Sequence, residues 1–415
     1  MNKLSAIQLL RAIAALLVVF AHAILRQADW APTDQSTKEI ASHMGALGVW
    51  IFFIISGFIM SYTNYDNFGV SGAAGRFMAS RIIRIVPIYW LATAVEVALR
   101  LRHGAGLDVY KLICSLFFIP VAVEPGSMAA MRPTLGVGWT LNYEMMFYAC
   151  FASVLFLSRK KGLAVLLLAM TGVVLAGTFF KPIADTRDPT SLIAFYSAPI
   201  ILLFGVGVLI GAVARFFKGV HANCSSAVLL SVLAAMLVVD VSLFATFVGI
   251  CPAAIGWLVT FWVISAVCVV LCAMVRIDDS GWVIQKLVRL GDASYSLYLF
   301  HFFMIIAVEK LWWWCFDRNG SWILIFVSTA AAILASTAIH RLVEQPVCNR
   351  LRQLIALVKA RWSFRRGGIA DLTPRGAVET TSSAWKGVGP QFGPSRLTMS
   401  RRTNVRQNVA ARRIR

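Results

Sequence analysis

Charge is scarce in this chain, and negative charge scarcer still. Only 14% of its 415 residues are charged, 19 Asp and Glu against 39 Lys and Arg, where soluble domains carry about 25%. The hydrophobic share is 59% and the mean hydropathy +0.74. A soluble core cannot absorb so much apolar sequence, whereas several spans of ~20 apolar residues can. The fold class that follows is all-α and polytopic. A β-barrel is excluded, because its short alternating segments are missing and the apolar runs are continuous.

Other absences narrow the chemistry. There is no GxSxG, no HExxH and no Walker P-loop. The eight cysteines (Cys114, Cys150, Cys224, Cys251, Cys268, Cys272, Cys315 and Cys348) form no CxxC and lie mostly in or beside apolar runs. They predict small buried hydrophobes, with no disulfide framework and no metal site. The net charge of +20 is no nucleic-acid signal. From Arg350 onward 15 Lys and Arg face two acids, Asp371 and Glu379, so this end alone holds +13. We expect 1–346 to be an integral-membrane domain and 347–415 a basic, largely disordered cytoplasmic tail against anionic lipid headgroups. No aromatic pattern for stacking bases accompanies it. Lys3, an apolar stretch and Ala21-His22-Ala23 imitate a signal peptide, but Arg11 interrupts the apolar core, so the segment is expected to stay as the first helix.

Apolar windows predict ten spans, near 7–25, 45–63, 83–101, 140–157, 162–180, 192–214, 226–248, 253–275, 292–314 and 321–343. Residues 110–123 are apolar but too short, and predict a re-entrant or interfacial segment. Positive charge sets the orientation. With the N-terminus inside, the inner connections hold Arg76, Arg81 and Arg84, then 159–161, then Arg215 and Lys218, then Arg276, Lys286 and Arg289. The outer loops, among them 181–190, hold fewer cations mixed with acids. Ten spans with both termini cytoplasmic follow; counting 110–123 as a span would put the 159–161 cluster and the tail outside.

Polar residues at depth then stand out. A charged side chain at a helix centre costs about 2.5–3.5 kcal/mol on insertion scales, so it usually has a task. Arg11 and His22 are eleven residues apart, about three turns, and share a helix face roughly 16 Å apart along the axis. Glu144 lies at the depth of His22, with Tyr148 one turn further in. A His and a carboxylate at one depth are the parts of a base and its orienting partner, or of a structural ion pair. Arg81 and Arg84, at i,i+3 on the cytoplasmic mouth of the third span, suit phosphates or serve as flanking charge, and Pro87 can kink that helix. Ser294, Tyr298 and His301 share a face. Ser56 sits mid-membrane before Gly57, its hydroxyl expected on its own helix backbone. Gly207 and Gly211 form a packing GxxxG. Pro346 is expected to end the tenth helix, leaving Glu344 to meet a cation.

Together, "RAIAALLVVFAH", "FFIISGF", "RIIRIVPIYW", "WTLNYEMMFY", "LGDASYSLYLFH" and "EQP" resemble the integral-membrane acyltransferase family 3, the ten-helix sugar O-acyltransferases of bacteria, over roughly residues 5–346. The flavour is similar to the exopolysaccharide O-acetyltransferase branch. The resemblance implies a multi-pass protein of the bacterial cytoplasmic membrane with no permanently bound cofactor. It implies acyl-coenzyme A, acetyl-coenzyme A in the first place, as donor. The implied acceptor is a carbohydrate or lipid-linked sugar, and polysaccharide synthesis machinery an implied neighbour. Arg81 and Arg84 would hold the coenzyme's phosphates, Arg11 the same coenzyme or its thioester arm. His22 would be general base, with Glu144 orienting it, and Ser56, Tyr148, Ser294, Tyr298 and His301 lining the path. A sugar-lipid transporter or flippase, or a non-catalytic partner in a synthesis complex, stays open as an alternative.

Overall fold

A computed structural model of the protein describes residues 4–121, 131–180, 192–217, 222–248, 255–278, 281–316 and 320–367. Lys3, Lys218, Cys251, the loop at 181–190, residues 122 and 123 of the short apolar segment, and the tail beyond residue 367 lie outside the described residues. The chain is helical in long runs. In order these are α1 (Ser5–Gln27), α2 (Gln35–Asn64), α3 (Ala73–Arg102), α4 (Val109–Leu116), α5 (Trp139–Val154), α6 (Arg159–Phe180) and α7 (Leu192–Tyr196). After them come α8 (Leu202–Phe216), α9 (Ser226–Val248), α10 (Ile255–Met274), α11 (Trp282–Asp292), α12 (Ser294–Cys315), α13 (Trp322–Ile339) and α14 (Gln345–Gly367). Where a helix starts in a polar loop, a side chain takes the first free amides, as when Asp34 accepts from the Thr37 amide at 2.7 Å ahead of α2. The Thr37 hydroxyl and amide hold that carboxyl below its ordinary range.

The protein is an all-α polytopic membrane protein. Eight helical segments are long and apolar enough to cross a bilayer. They coincide with eight of the ten expected spans. The other two are shorter: α5 has 16 residues, and the apolar part of α10 is Leu258–Met274. Helix α4 is eight residues long, far below the ~20 a crossing needs. A helix that the hydropathy windows passed over, α11, precedes α12 and packs on α1.

Helix α1 is the centre of the packing, touching α2, α10, α11, α12 and α13. Three side-chain links tie it to α12: Arg11 to Ser294, His22 to His301 and Arg26 to Glu309. The partners ascend together, so α1 and α12 run parallel. That direction is what two odd-numbered spans require if α12 is the ninth, and counting α4 as a span would reverse it. The opposite wall of α2 is held by α8 through backbone contact. A Cβ at Gly57 would lie 2.1 Å from the Phe204 carbonyl oxygen, and one at Gly207 2.0 Å from that of Ile54. Glycine at both positions lets the two helix backbones touch.

Two features depart from expectation. Pro346 does not end the last span. A π-turn over His340–Glu344 carries α13 into α14, which continues to Gly367. The wider turn accommodates the missing proline N–H and its ring. Residues 347–367 are therefore helical rather than loose tail. Pro87, by contrast, stands within α3 and frees the Ile83 carbonyl one turn back, which accepts from the Cys348 thiol at 3.4 Å. Beyond the helices, Ala222–Cys224 and Val275–Ile277 pair as a short parallel two-stranded sheet, placing the start of α9 and the end of α10 at one end of the protein. The seven described cysteines are free.

Candidate active site

A cavity of about 100 Å³ opens between α1, α2, α3, α5 and α12. Its walls bring together Arg11, Ser56, Arg81, Arg84, Glu144, Tyr148, Ser294 and Tyr298, from five helices, along with Tyr295 and Thr140. All eight stand in the motifs quoted above, and all share one space. On the measure in which one water needs about 10–15 Å³, the cavity suits a small group and not a whole nucleotide.

One end is cationic. Arg11 spends its guanidinium on neighbours, Nη1 donating to Gln8 Oε1 at 2.8 Å and Nη2 to Ser294 Oγ at 2.7 Å. Arg81 lies over the rings of Phe77 and Tyr148, at 5.5 and 5.8 Å from their centroids, and its Nε is buried without a hydrogen-bond partner. Arg84 makes no hydrogen bond or ion pair among the described residues. Three guanidiniums thus face one lining carboxylate, Glu144. A buried donor without a partner costs about 1–3 kcal/mol, so the Arg81 Nε is an unmet donor at this end.

Glu144 is held by its own helix and by α2. It accepts from Ser56 Oγ at 3.1 Å and from the Tyr148 hydroxyl one turn along α5. Two expectations change here. Ser56 does not turn to its own backbone but to Glu144 and to Tyr148, 3.3 Å away. Nor does Glu144 hydrogen-bond to His22. Equal depth on two helices does not fix which way each helix faces.

The far end closes on Tyr298. Its hydroxyl donates to the Val137 carbonyl at 2.7 Å and meets Thr140 Oγ1, also at 2.7 Å. One turn further along α12 is His301, fully buried, whose Nε2 lies 2.9 Å from Nδ1 of His22. The two rings are nearly stacked, 5.0 Å between centroids and 24° apart. His22 is partly exposed. The histidine pair stands beyond the cavity wall, outside its lining.

The sequence reading passed over two further buried pairs. His43 Nε2 and Asp240 Oδ2 are 2.6 Å apart between α2 and α9, with the imidazole stacked on Phe244 at 4.1 Å. Arg26 forms a two-pronged pair with Glu309, both bonds 2.9 Å. A His or an acid inside an apolar run is itself a signal, and His43, Asp240 and Glu309 carry it. Glu344 meets no Lys or Arg: it accepts from His340 Nδ1 at 2.9 Å and Ser296 Oγ at 2.5 Å.

Comparison with known proteins gives the family. The family described as "Acyltransferase domain" matches residues 4–341. The exopolysaccharide production protein ExoZ of Rhizobium meliloti (strain 1021) is 34% identical over 315 residues, 74% of this chain and 91% of that protein. Nodulation protein 10 of Rhizobium leguminosarum bv. viciae is 27% identical over 84% of this chain and 94% of its own length. Acyltransferase MdmB of Streptomyces mycarofaciens is 25% identical over 81% and 89% respectively. No solved structure matches. With a match across nearly all of the helical body, the chain belongs to the integral-membrane acyltransferase family 3.

Proposed function

We propose that the protein moves an acyl group, acetyl in the simplest case, from acyl-coenzyme A at the cytoplasmic side to a hydroxyl of a carbohydrate, with His22 as general base. An exopolysaccharide or its lipid-linked precursor is the favoured acceptor, in keeping with the name of the relative ExoZ. The observation that carries the reading is the order of groups along one line. Partnerless guanidinium nitrogen stands at one end of a small cavity, and a histidine pair stands just past the other.

Each part has a task in this reading. Arg81 and Arg84 hold the phosphates of the donor, for which planar guanidinium donors are suited. The cavity admits only the thioester end, past Arg11 and Ser294. That end displaces the contact between Tyr298 and Thr140 to come near His22. The base takes the acceptor's proton as its oxygen attacks the thioester carbonyl carbon. The C–S bond breaks, the sulfur keeps the electron pair, and the imidazolium proton goes to the leaving thiolate. Products are the ester and the free thiol, and His22 is neutral again. Direct transfer needs no covalent enzyme intermediate.

The test is His22→Ala, expressed at normal level, with mass spectrometry of the surface glycans. Loss of the mass increment of one acyl group is expected; full modification would sink the assignment of His22. A transporter would instead keep its flux without any acyl transfer.

A further inference from the structure

We infer that His301 is a positioning residue that fixes the tautomer of His22, keeping the proton on Nδ1 and the lone pair on Nε2. The inference rests on the reading of His22 as the base.

The argument runs through hydrogen-bond types. His301 Nδ1 lies 2.8 Å from the Tyr298 carbonyl oxygen and 3.1 Å from that of Leu297. Carbonyl oxygens only accept, so Nδ1 of His301 carries a hydrogen. A neutral imidazole has one N–H, and its other nitrogen is then an acceptor. No carboxylate is bonded to His301, and the ring is fully buried, so a second proton there would be an unpaired buried charge. Nε2 of His301 therefore accepts, and the atom facing it at 2.9 Å is Nδ1 of His22. That nitrogen must donate. His22 is left with Nε2 free of hydrogen, on the ring that is partly exposed while His301 is not.

This orientation matters because free neutral imidazole favours the opposite tautomer, with its hydrogen on Nε2. Unheld, His22 would present an N–H to the acceptor hydroxyl instead of a lone pair. In serine hydrolases a carboxylate on Nδ1 enforces the tautomer, and its loss there costs about 10⁴ in kcat. Here the enforcing group is a second imidazole, itself fixed by two backbone carbonyls of α12. Phe302 limits tilt, with its ring edge-on to both His22 and His301, at 6.2 and 6.5 Å.

Two measurements test this. Solid-state NMR of the wild-type protein with ¹⁵N-labelled histidine, assigned by loss of signal in His22→Ala, should find hydrogen on Nδ1 and none on Nε2 at neutral pH. The reverse pattern overturns the inference. In parallel, His301→Leu should lower kcat about hundredfold or more with little change in the donor KM, while His301→Gln, whose Oε1 can accept in place of Nε2, recovers to within about tenfold of wild type. Wild-type kcat in His301→Leu overturns it as well. The two readings fail separately. An inactive His22→Ala with an active His301→Leu removes the positioning role alone, and an active His22→Ala removes the base while the tautomer measurement stands.

Discussion

His22 and His301 meet across α1 and α12, nitrogen to nitrogen at 2.9 Å, so the first helix takes the partner of its histidine from the ninth span and not from α5. Glu144 is released from that task. Its hydrogen bonds run to Ser56 and Tyr148, and the guanidinium that lies over the Tyr148 ring is Arg81. The cavity's carboxylate thus belongs to the end where an anion would be gripped.

Glu144→Gln should therefore act on donor binding. The change removes the one lining carboxylate's charge while leaving an oxygen to accept from Ser56 and Tyr148, and the donor KM is expected to move about threefold to tenfold while the ¹⁵N pattern of His22 stays as in wild type. Kinetics in proteoliposomes at varied donor concentration measure the first, and a changed His22 spectrum would contradict the second.

Arg84→Lys keeps the charge and loses the planar fork. Paired donation to a phosphate is lost with it, and about tenfold in affinity, near 1.4 kcal/mol, is a reasonable scale. The donor KM should rise by that factor with kcat within about twofold. An unchanged donor KM would reduce Arg84 to a flanking charge.

The contact of α2 with α8 leaves no room for a methyl group. Gly207→Ala places a carbon about 2.0 Å from the Ile54 carbonyl oxygen, and forcing the helices apart costs about 1–3 kcal/mol or more. Its melting temperature in detergent should fall by several degrees, or folded protein should be lost. Gly172→Ala in α6 meets nothing within 4 Å and should melt at or above the wild-type temperature.

His43 and Asp240 form a buried pair, and the Asp240 Oδ1 has no partner. Breaking such a pair on one side costs about 3–5 kcal/mol, whereas replacing both partners by apolar residues is often neutral. His43→Leu should destabilise strongly, and His43→Leu with Asp240→Leu should recover most of the loss. Additive losses in thermal unfolding would show that the two side chains do not depend on each other.

Periodicity and composition made the spans legible, because a bilayer admits only helices or closed barrels and the continuous apolar runs suit the helix. Eight of the ten windows became crossing-length helices. The parallel course of α1 and α12 agrees with the count that charge parity favours. The site residues were legible as polar exceptions in apolar helices, and eight of them line one cavity. Their partners were not. Spacing within a helix gave the common face of Arg11 and His22, and both do turn to α12. Rotation of one helix about its axis relative to another is set by packing, so Glu144 was matched to His22 on depth alone. The amphipathic α11 carries Lys286 and Arg289 within it, so hydropathy alone left it among the connecting residues. The π-turn before Pro346 is a tertiary accommodation that helix-breaking rules do not foresee.

Because α1 and α12 are riveted at one end by Arg11, three turns on by His22 and one turn further by Arg26, neither can slide along the other without undoing all three fastenings. They make a stationary mast. The facing wall meets this mast through single hydrogen bonds, Thr140 of α5 to Tyr298 and the Ile85 carbonyl of α3 to Tyr295.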